Sequence, residues 1–235
     1  MSRAPRSTAV MAQKAPSEVE GDDPQTALYR KLNFFPTPPW AARAGAELIL
    51  SIDPFADVIW EPACGEGHMA RPLAEYFARV IASDVHSYGF GQAIDFLGEI
   101  EGGGPEADWI VTNPPFAIAA DFLRLALGRA RRGVALLLRL AFLEGGERYP
   151  LLYGARPITV FAPFIERVPM ALGRWDPELS SATAYGWFVW DKQAPVADPV
   201  IRPIAPGTRE RLWHAGDAAR FGAKRDAPLL DAMEA

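Results

Sequence analysis

The residues with the clearest chemical potential are Asn113, Pro114, Pro115 and Phe116, which follow a short apolar run. Two consecutive prolines remove two backbone donors and fix two φ angles, so the turn is stiff and the Pro114 carbonyl lacks an ordinary ladder partner. The Asn113 amide adds a second oxygen acceptor, and Phe116 adds a flat apolar face. Two acceptors beside an aromatic plate predict a pocket for a planar ring that carries an amino group.

A second candidate site is a glycine-containing loop earlier in the chain. It reads Glu61, Pro62, Ala63, Cys64, Gly65, Glu66, Gly67. Glycines at 65 and 67 let the backbone approach a ligand between a strand and a helix amino terminus, although an ordinary tight turn has the same pattern. Ala70 stands where a pyrophosphate-binding loop has its third glycine, and the acid Glu61 would repel a diphosphate. The loop therefore favours a ligand with a cationic amino group.

Two further acidic positions could contact the same ligand. Asp84 stands 84 − 67 = 17 residues after Gly67, near the offset of about 20 at which a carboxylate accepts hydrogen bonds from ribose hydroxyls. In Asp95-Phe96, the carboxylate could accept from an exocyclic amine and the ring could flank a purine. Each also has a structural interpretation, as a turn aspartate or a core phenylalanine.

These residues need a scaffold of alternating strands and helices. Short, continuous apolar runs predict buried strands at Val58–Trp60, Val80–Ala82, Trp109–Val111 and Val134–Leu138, with Asp95-Phe96 closing another. Helical spacing covers residues 122–130, Met69–Ala78 and Pro38–Leu50, where Thr37 can cap. Alternating β and α elements predict a doubly wound α/β sheet with ligands at the carboxyl ends of the strands.

The rest of the chain predicts a single domain with extensions. Ile158–Phe161 and Trp187–Trp190 predict two more strands at a partly antiparallel edge of the sheet, with both tryptophans in the core. Composition predicts a flexible tail over residues 1–24, a domain over 25–191 and an extension over 192–235 that is rich in Pro, Ala and charge. Thr208–Phe221 could form a short helix in this extension.

Composition excludes several classes of protein. The 235 residues are 49% hydrophobic, enough for a globular core, and the net charge of 24 − 29 = −5 argues against nucleic-acid binding by bulk charge. The longest apolar stretch, Val134–Leu143, is too short to cross a bilayer, and the chain start lacks the apolar core of a secretory signal. A single cysteine, Cys64, cannot form an internal disulfide, so a cytoplasmic location is expected. His68, His86 and His214 lack metal-ligand spacing.

Taken together, these segments resemble S-adenosylmethionine-dependent methyltransferases that act on amino groups, most closely DNA adenine-N6 methyltransferases of the gamma motif order. In that order the cofactor loop precedes the catalytic loop. The similarity covers roughly residues 34–191 and includes the leading segment 34–39, Phe-Phe-Pro-Thr-Pro-Pro. The resemblance implies a Rossmann-like class I methyltransferase fold, a three-layer sandwich with a mostly parallel seven-stranded sheet and an antiparallel edge strand.

The resemblance also implies roles for individual residues. The catalytic turn is Asn113, Pro114, Pro115 and Phe116. The implied contacts to S-adenosylmethionine are Thr37, Pro38, Glu61, Pro62, Ala63, Cys64, Gly65, Gly67, Asp84, Asp95, Phe96 and Asn113. Thr37 and Pro38 would help to hold the methionine end of the cofactor, Asp84 the ribose and Asp95-Phe96 the adenine ring.

The implied reaction is methyl transfer to the N6 amine of adenine in DNA, with the target base swung out of the duplex against Phe116. The Asn form of the turn is shared with enzymes that methylate ribosomal-RNA bases and with release-factor glutamine methyltransferases, so an RNA base amine or a protein glutamine is the alternative acceptor. A methyltransferase-like subunit that binds nucleic acid without catalysis is a third hypothesis. Only 235 − 191 = 44 residues follow the last predicted strand, so the resemblance implies no separate recognition domain: sequence specificity is short or relaxed, or is supplied by residues 141–183 or by a partner. Small stand-alone enzymes of this appearance occur in phages and prophages.

DNA contacts require cations outside the catalytic turn. Arg139, Arg167, Arg174 and Trp175 are the candidates, because they lie at or between the last predicted strands. Other arginines between residues 124 and 148 could contact phosphates or form a solvated helix end. The sequence leaves the oligomeric state open.

Overall fold

A computed structural model of the chain describes residues 23–154 and 156–222. The predicted tail 1–24 lies outside the described residues except for its last two, and so does the extension 192–235 beyond residue 222. One sheet is built from the strands β1 Val58–Glu61, β2 Arg79–Asp84, β3 Gln92–Ala93, β4 Trp109–Thr112, β5 Gly133–Arg139, β6 Val160–Pro163, β7 Tyr185–Asp191 and β8 Val200–Ile201. Their spatial order is β3-β2-β1-β4-β5-β7-β6-β8.

The predicted α/β architecture with a mostly parallel sheet is confirmed. The described residues form eight strands rather than seven. The antiparallel strand, β7, lies between β5 and β6 and not at the edge. Every residue of β7 is buried, so this strand needs neighbours on both sides and cannot serve as an edge.

Seven helices accompany the sheet in the described residues: α1 Pro24–Leu32, α2 Pro39–Ile52, α3 Ala70–Leu73, α4 Ala119–Arg129, α5 Tyr149–Tyr153, α6 Thr208–Leu212 and α7 Asp217–Phe221. The predicted helix Pro38–Leu50 corresponds to α2, but Pro38 occupies its N-cap position and Thr37 does not cap it. α3 ends at Leu73, short of the predicted Ala78, and Phe77, between α3 and β2, is buried in the core. Across these segments the search for a helix long and apolar enough to cross a bilayer found none.

The layers follow from alternation along the strands. Ile59 and Val111 face one side of the sheet, where they pack with α2 and Trp187. Trp60 and Ile110 face the other side, where they pack with α4. Trp187 and Trp190 are both buried, as predicted. Each face of the central strands is thus covered by helices, which makes the sandwich three layers deep.

The described part of the predicted extension is joined closely to the sheet. β8 pairs with β6, and the predicted helix Thr208–Phe221 is two short helices, α6 and α7, separated at residues 213–216. In α2, the buried Arg43 guanidinium donates to the buried Asp217 carboxylate at 2.6 and 2.8 Å. A buried charge pair of this kind ties α7 to the helical layer.

Candidate active site

A cleft of about 830 Å³, measured out to its open mouth, lies where β1, β2 and β4 end. The predicted site residues that line it are Thr37, Glu61, Pro62, Ala63, Cys64, Asp84, Phe96, Asn113 and Pro115. The carboxyl ends of three strands and the segment before α2 therefore bring most of the predicted residues together. Pro38, Gly65, Gly67, Asp95, Pro114 and Phe116 do not line the cleft itself.

Asn113 presents one oxygen acceptor with a fixed orientation. Its Nδ2 donates to the Phe35 carbonyl at 2.9 Å and to Thr37 Oγ1 at 3.1 Å, and it lies 3.7 Å from Met170 Sδ. A carbonyl only accepts, so the nitrogen must be on this side of the amide. Asn113 Oδ1 is buried and has no hydrogen-bond partner. Asn113 is one of the residues that line the cleft, so this unused oxygen acceptor lies at the candidate site.

Phe116 forms an aromatic shelf with Phe35 and Tyr185 beside the cleft. The ring centres of Phe35 and Tyr185 lie 5.6 and 5.9 Å from that of Phe116. The Arg139 guanidinium carbon lies 4.5 Å from the Phe116 ring centre, a cation–π distance. The Phe116 N–H donates to Asn33 Oδ1 at 3.0 Å, which holds the end of the turn.

Glu61 is a buried acid with one oxygen unused. Its Oε1 accepts from the Thr112 hydroxyl at 3.0 Å, and its Oε2 is buried without a hydrogen-bond partner. Burial raises the pKa of Glu61 well above its ordinary value, and the negative charge of Asp84 adds to this, while the Thr112 hydrogen bond opposes it. A cation brought next to Oε2 would restore the carboxylate form.

The glycine loop is held by Asp84. The Gly65 N–H donates to Asp84 Oδ2 at 2.9 Å, and the His86 N–H donates to Oδ1 at 3.0 Å. Burial raises the pKa of Asp84. Gly65 has φ +49°, and a Cβ there would lie 2.3 Å from the Phe34 ring. Gly67 has φ +88°. Glycine is therefore required at both positions by backbone conformation, and at Gly65 also by the ring that covers it.

Asp95 and Phe96 separate in the structure. Phe96 lines the cleft, with its ring 4.9 Å from that of Phe122 and 5.1 Å from that of Trp60. Asp95 does not line the cleft, and its Oδ1 accepts from the Leu97 N–H at 3.0 Å. The Phe96 ring is therefore placed where a ligand could reach it, and its contact with adenine stays a prediction, whereas Asp95 holds a local turn.

The predicted DNA-contacting residues lie in different environments. Arg139 is at the aromatic shelf, and Arg167 is exposed. Arg174 and Trp175 are 9% and 1% exposed, and the Trp175 ring packs 5.5 Å from that of Trp213. Both side chains are therefore largely buried, and their contact with DNA stays a prediction. Trp175 belongs to the interior.

Two arginines before β5, the exposed Arg131 and the half-buried Arg132, form ion pairs with buried aspartates. Arg131 donates to Asp108 at 2.7 Å, and Arg132 donates to Asp53 at 2.7 and 2.6 Å. Both aspartates are buried, and both have a lowered pKa to which the arginine hydrogen bond contributes. These two arginines therefore stabilise the edge of the sheet at which β5 begins, whereas Arg139 lies at the opposite end of β5.

Several cleft residues were not predicted from the sequence. Asn33, in the left-handed conformation after α1, could have been found, since Asn favours that position after a helix. Val85 and Tyr88 follow Asp84 without any distinguishing pattern. The Nε2 of His68 lies 3.0 Å from the Phe221 carbonyl, and burial lowers the pKa of His68 to about 4. Among the described side chains, no cluster of His, Cys, Asp and Glu is arranged to hold a metal ion.

Comparisons with known proteins address the fold. No family model matches the chain, and no curated protein matches it. The structure is similar to a type I restriction-modification system methyltransferase subunit from Streptococcus thermophilus, with a TM-score of 0.55 and 10% identity over 88% of this chain and 60% of that one. It is also similar to a protein from Pyrococcus horikoshii described as an RNA methyltransferase, with a TM-score of 0.51 and 16% identity over 78% of this chain and 96% of that one.

A third similar structure, from Vibrio vulnificus, is described as a modification subunit of a type I restriction enzyme. Its TM-score is 0.50 and its identity 13%, over 80% of this chain and 51% of that one. The chain thus spans only about half to three fifths of the two restriction-system subunits. At these identities the similarity establishes the fold, which is the Rossmann-like fold of class I methyltransferases, as predicted.

Proposed function

We propose that this protein transfers a methyl group from S-adenosylmethionine to the N6 amine of adenine in DNA. The observation that carries the proposal is the orientation of Asn113, whose Nδ2 is bound by two oxygens while its buried Oδ1 has no partner. The side chain is thereby prepared to accept a hydrogen bond from an amine at the cleft. An acceptor in this state is what an amino-group methyltransferase needs.

The residues that line the cleft match the chemical groups of S-adenosylmethionine. The unpartnered Glu61 Oε2 suits the cofactor's ammonium group, and Asp84 is available for ribose hydroxyls through its remaining lone pairs. Val85 and Phe96 offer apolar surface for a purine ring. When bound, the cofactor supplies a sulfonium methyl group.

The chain's own contribution is to position and polarise the acceptor amine. The nitrogen of adenine is a poor nucleophile because its lone pair is delocalised into the ring. Hydrogen bonds from its two protons to Asn113 Oδ1 and, as the resemblance implies, to the Pro114 carbonyl would favour a pyramidal nitrogen with a localised lone pair. Phe116 and its neighbours on the shelf supply a stacking face for the extruded base. No prior deprotonation is needed in this scheme, because the methylated nitrogen loses one proton to water after the transfer.

Two features of the chain favour DNA over the other acceptors. The leading Thr-Pro-Pro segment resembles that of the DNA enzymes, and Arg139 places a positive charge next to the stacking shelf. Two of the similar structures carry names from DNA restriction-modification systems, and the third is described as an RNA methyltransferase. An RNA base amine and a protein glutamine are therefore included as competing acceptors in the test.

The test is incubation with methyl-labelled S-adenosylmethionine and, separately, duplex DNA, RNA or protein, followed by digestion and identification of the labelled product. We expect N6-methyladenine in DNA, and we expect Asn113→Ala to lose about 10²–10³-fold in rate, as for loss of one preorganised catalytic hydrogen bond. Label only in RNA or protein would overturn the DNA assignment. Failure to label any acceptor, by protein that binds the cofactor, would overturn the methyltransferase assignment.

A further inference from the structure

The segment Asn33–Thr37 touches the catalytic turn at both of its ends. At one end, Thr37 Oγ1 and the Phe35 carbonyl accept from Asn113 Nδ2 at 3.1 and 2.9 Å. At the other end, Asn33 Oδ1 accepts from the Phe116 N–H at 3.0 Å. The segment and the turn lie far apart in sequence, so only the fold brings them together.

We propose that Thr37 and Asn33 are positioning residues for the catalytic turn, an inference that rests on the proposed function. Thr37 holds the Asn113 amide so that Oδ1 faces the acceptor amine, and Asn33 holds Phe116 at the stacking shelf. Neither residue needs to touch the substrate to do this. The resemblance implied a different role for Thr37, as a contact to the methionine end of the cofactor.

The Thr37 hydroxyl is suited to this task by its burial. Thr37 is 3% exposed, so little water is available to replace its hydroxyl as an acceptor for Asn113 Nδ2. The Phe35 carbonyl fixes which way the amide faces, since turning the amide over would place two oxygens against each other. The hydroxyl then supplies the second strong acceptor, whereas Met170 Sδ, at 3.7 Å, is a weak third contact. Two acceptors hold the amide plane more narrowly than one.

Asn33 has a backbone reason to be where it is. It ends α1 with φ 56° and ψ 45°, the left-handed conformation that Asn and Gly adopt most easily. Asn33 comes directly after the last residue of α1, and it is one of the residues that line the cleft. Asp preserves both the acceptor and a tolerance of this conformation, whereas Gly preserves the conformation alone. The pair separates hydrogen bonding from backbone shape.

For Thr37, the experiment compares Thr37→Val with Thr37→Ser in single-turnover methyl transfer and in calorimetric binding of S-adenosylmethionine. Loss of one ordinary hydrogen bond corresponds to about a 3- to 10-fold change. We expect Thr37→Val to lower the single-turnover rate by this factor, with cofactor Kd within twofold of wild type, and Thr37→Ser to restore the rate. A raised cofactor Kd with an unchanged rate would instead support the methionine contact and overturn the proposal.

Coupling to Asn113 supplies the decisive comparison. If Thr37 acts through that amide, Thr37→Val has no further effect on the residual rate of Asn113→Ala. A full additional loss in the Asn113→Ala background overturns the positioning role. For Asn33, we expect Asn33→Gly to slow transfer and Asn33→Asp to retain it, and equal rates for the two would overturn its role. An inert wild-type protein, by contrast, would refute the proposed function itself.

Discussion

Replacing Glu61 by Gln tests the electrostatics of the cleft, because it should move stability and cofactor affinity in opposite directions. The carboxylate is 1% exposed, faces the charge of Asp84 and leaves Oε2 without a partner. In the ligand-free protein, Gln removes an acid that is costly to ionise in this position. In the complex, Gln removes the negative partner of the cofactor's ammonium group.

The pH dependence follows from the direction of the pKa shift. Burial places the pKa of Glu61 in the folded protein above its value in the unfolded chain. Between these two values the folded protein binds a proton that the unfolded chain has released, so stability falls as the pH rises through the window. Glu61→Gln removes this contribution, and the ligand-free variant should therefore be the more stable protein at neutral pH.

The affinity change can be estimated from the lost contact. A hydrogen bond to a charged group contributes about 1.5–3 kcal/mol, which corresponds to roughly 10- to 150-fold in Kd. Calorimetric titration with S-adenosylmethionine measures this change, and urea unfolding of the ligand-free protein at several pH values measures the stability. For the affinity change, Glu66→Gln is the matched control, since Glu66 lies on the same loop and does not line the cleft. Unchanged affinity, or a ligand-free variant less stable than wild type, would refute the reasoning.

Three further outcomes follow from the structure. Gly65→Ala should lower the free energy of unfolding by at least about 1–2 kcal/mol, since the residue has φ +49° and its Cβ would meet the Phe34 ring; urea unfolding measures the loss. Arg43→Leu should cost about 3–5 kcal/mol, because it leaves the buried Asp217 carboxylate without its main partner, and thermal unfolding checks this value. The Arg43 hydrogen bonds help to lower the pKa of Asp217 against the effect of burial, so its contribution to stability is present above its unfolded pKa and is lost as the pH falls through the folded one. Unfolding of Asp217→Asn should accordingly lose that part of the pH dependence.

The sequence by itself determined the central strands and the place of the Asn-Pro-Pro-Phe turn directly after one of them. Continuous apolar runs can be satisfied only by burial on both faces, which is why β1, β2, β4, β5 and β7 lie where the sequence predicts them. The Asn-Pro-Pro-Phe turn and the glycine loop could be predicted for a different reason, because their backbone conformations depend on the residues of the turn and the loop themselves. Gly65 and Gly67 have positive φ, and no neighbour in space is needed to explain that requirement.

Tertiary structure decided the partners of these residues. Nothing in the sequence around Thr37 indicates that its hydroxyl binds Asn113 and does not cap the start of α2. Thr37 and Asn113 meet only because the fold brings β4 next to the segment before α2. The burial of Trp175 and the turn role of Asp95 depend in the same way on distant elements or on the exact path of the loop. Periodicity and composition report which surfaces must be buried, but the direction of a single side chain is set by whatever the fold packs against it.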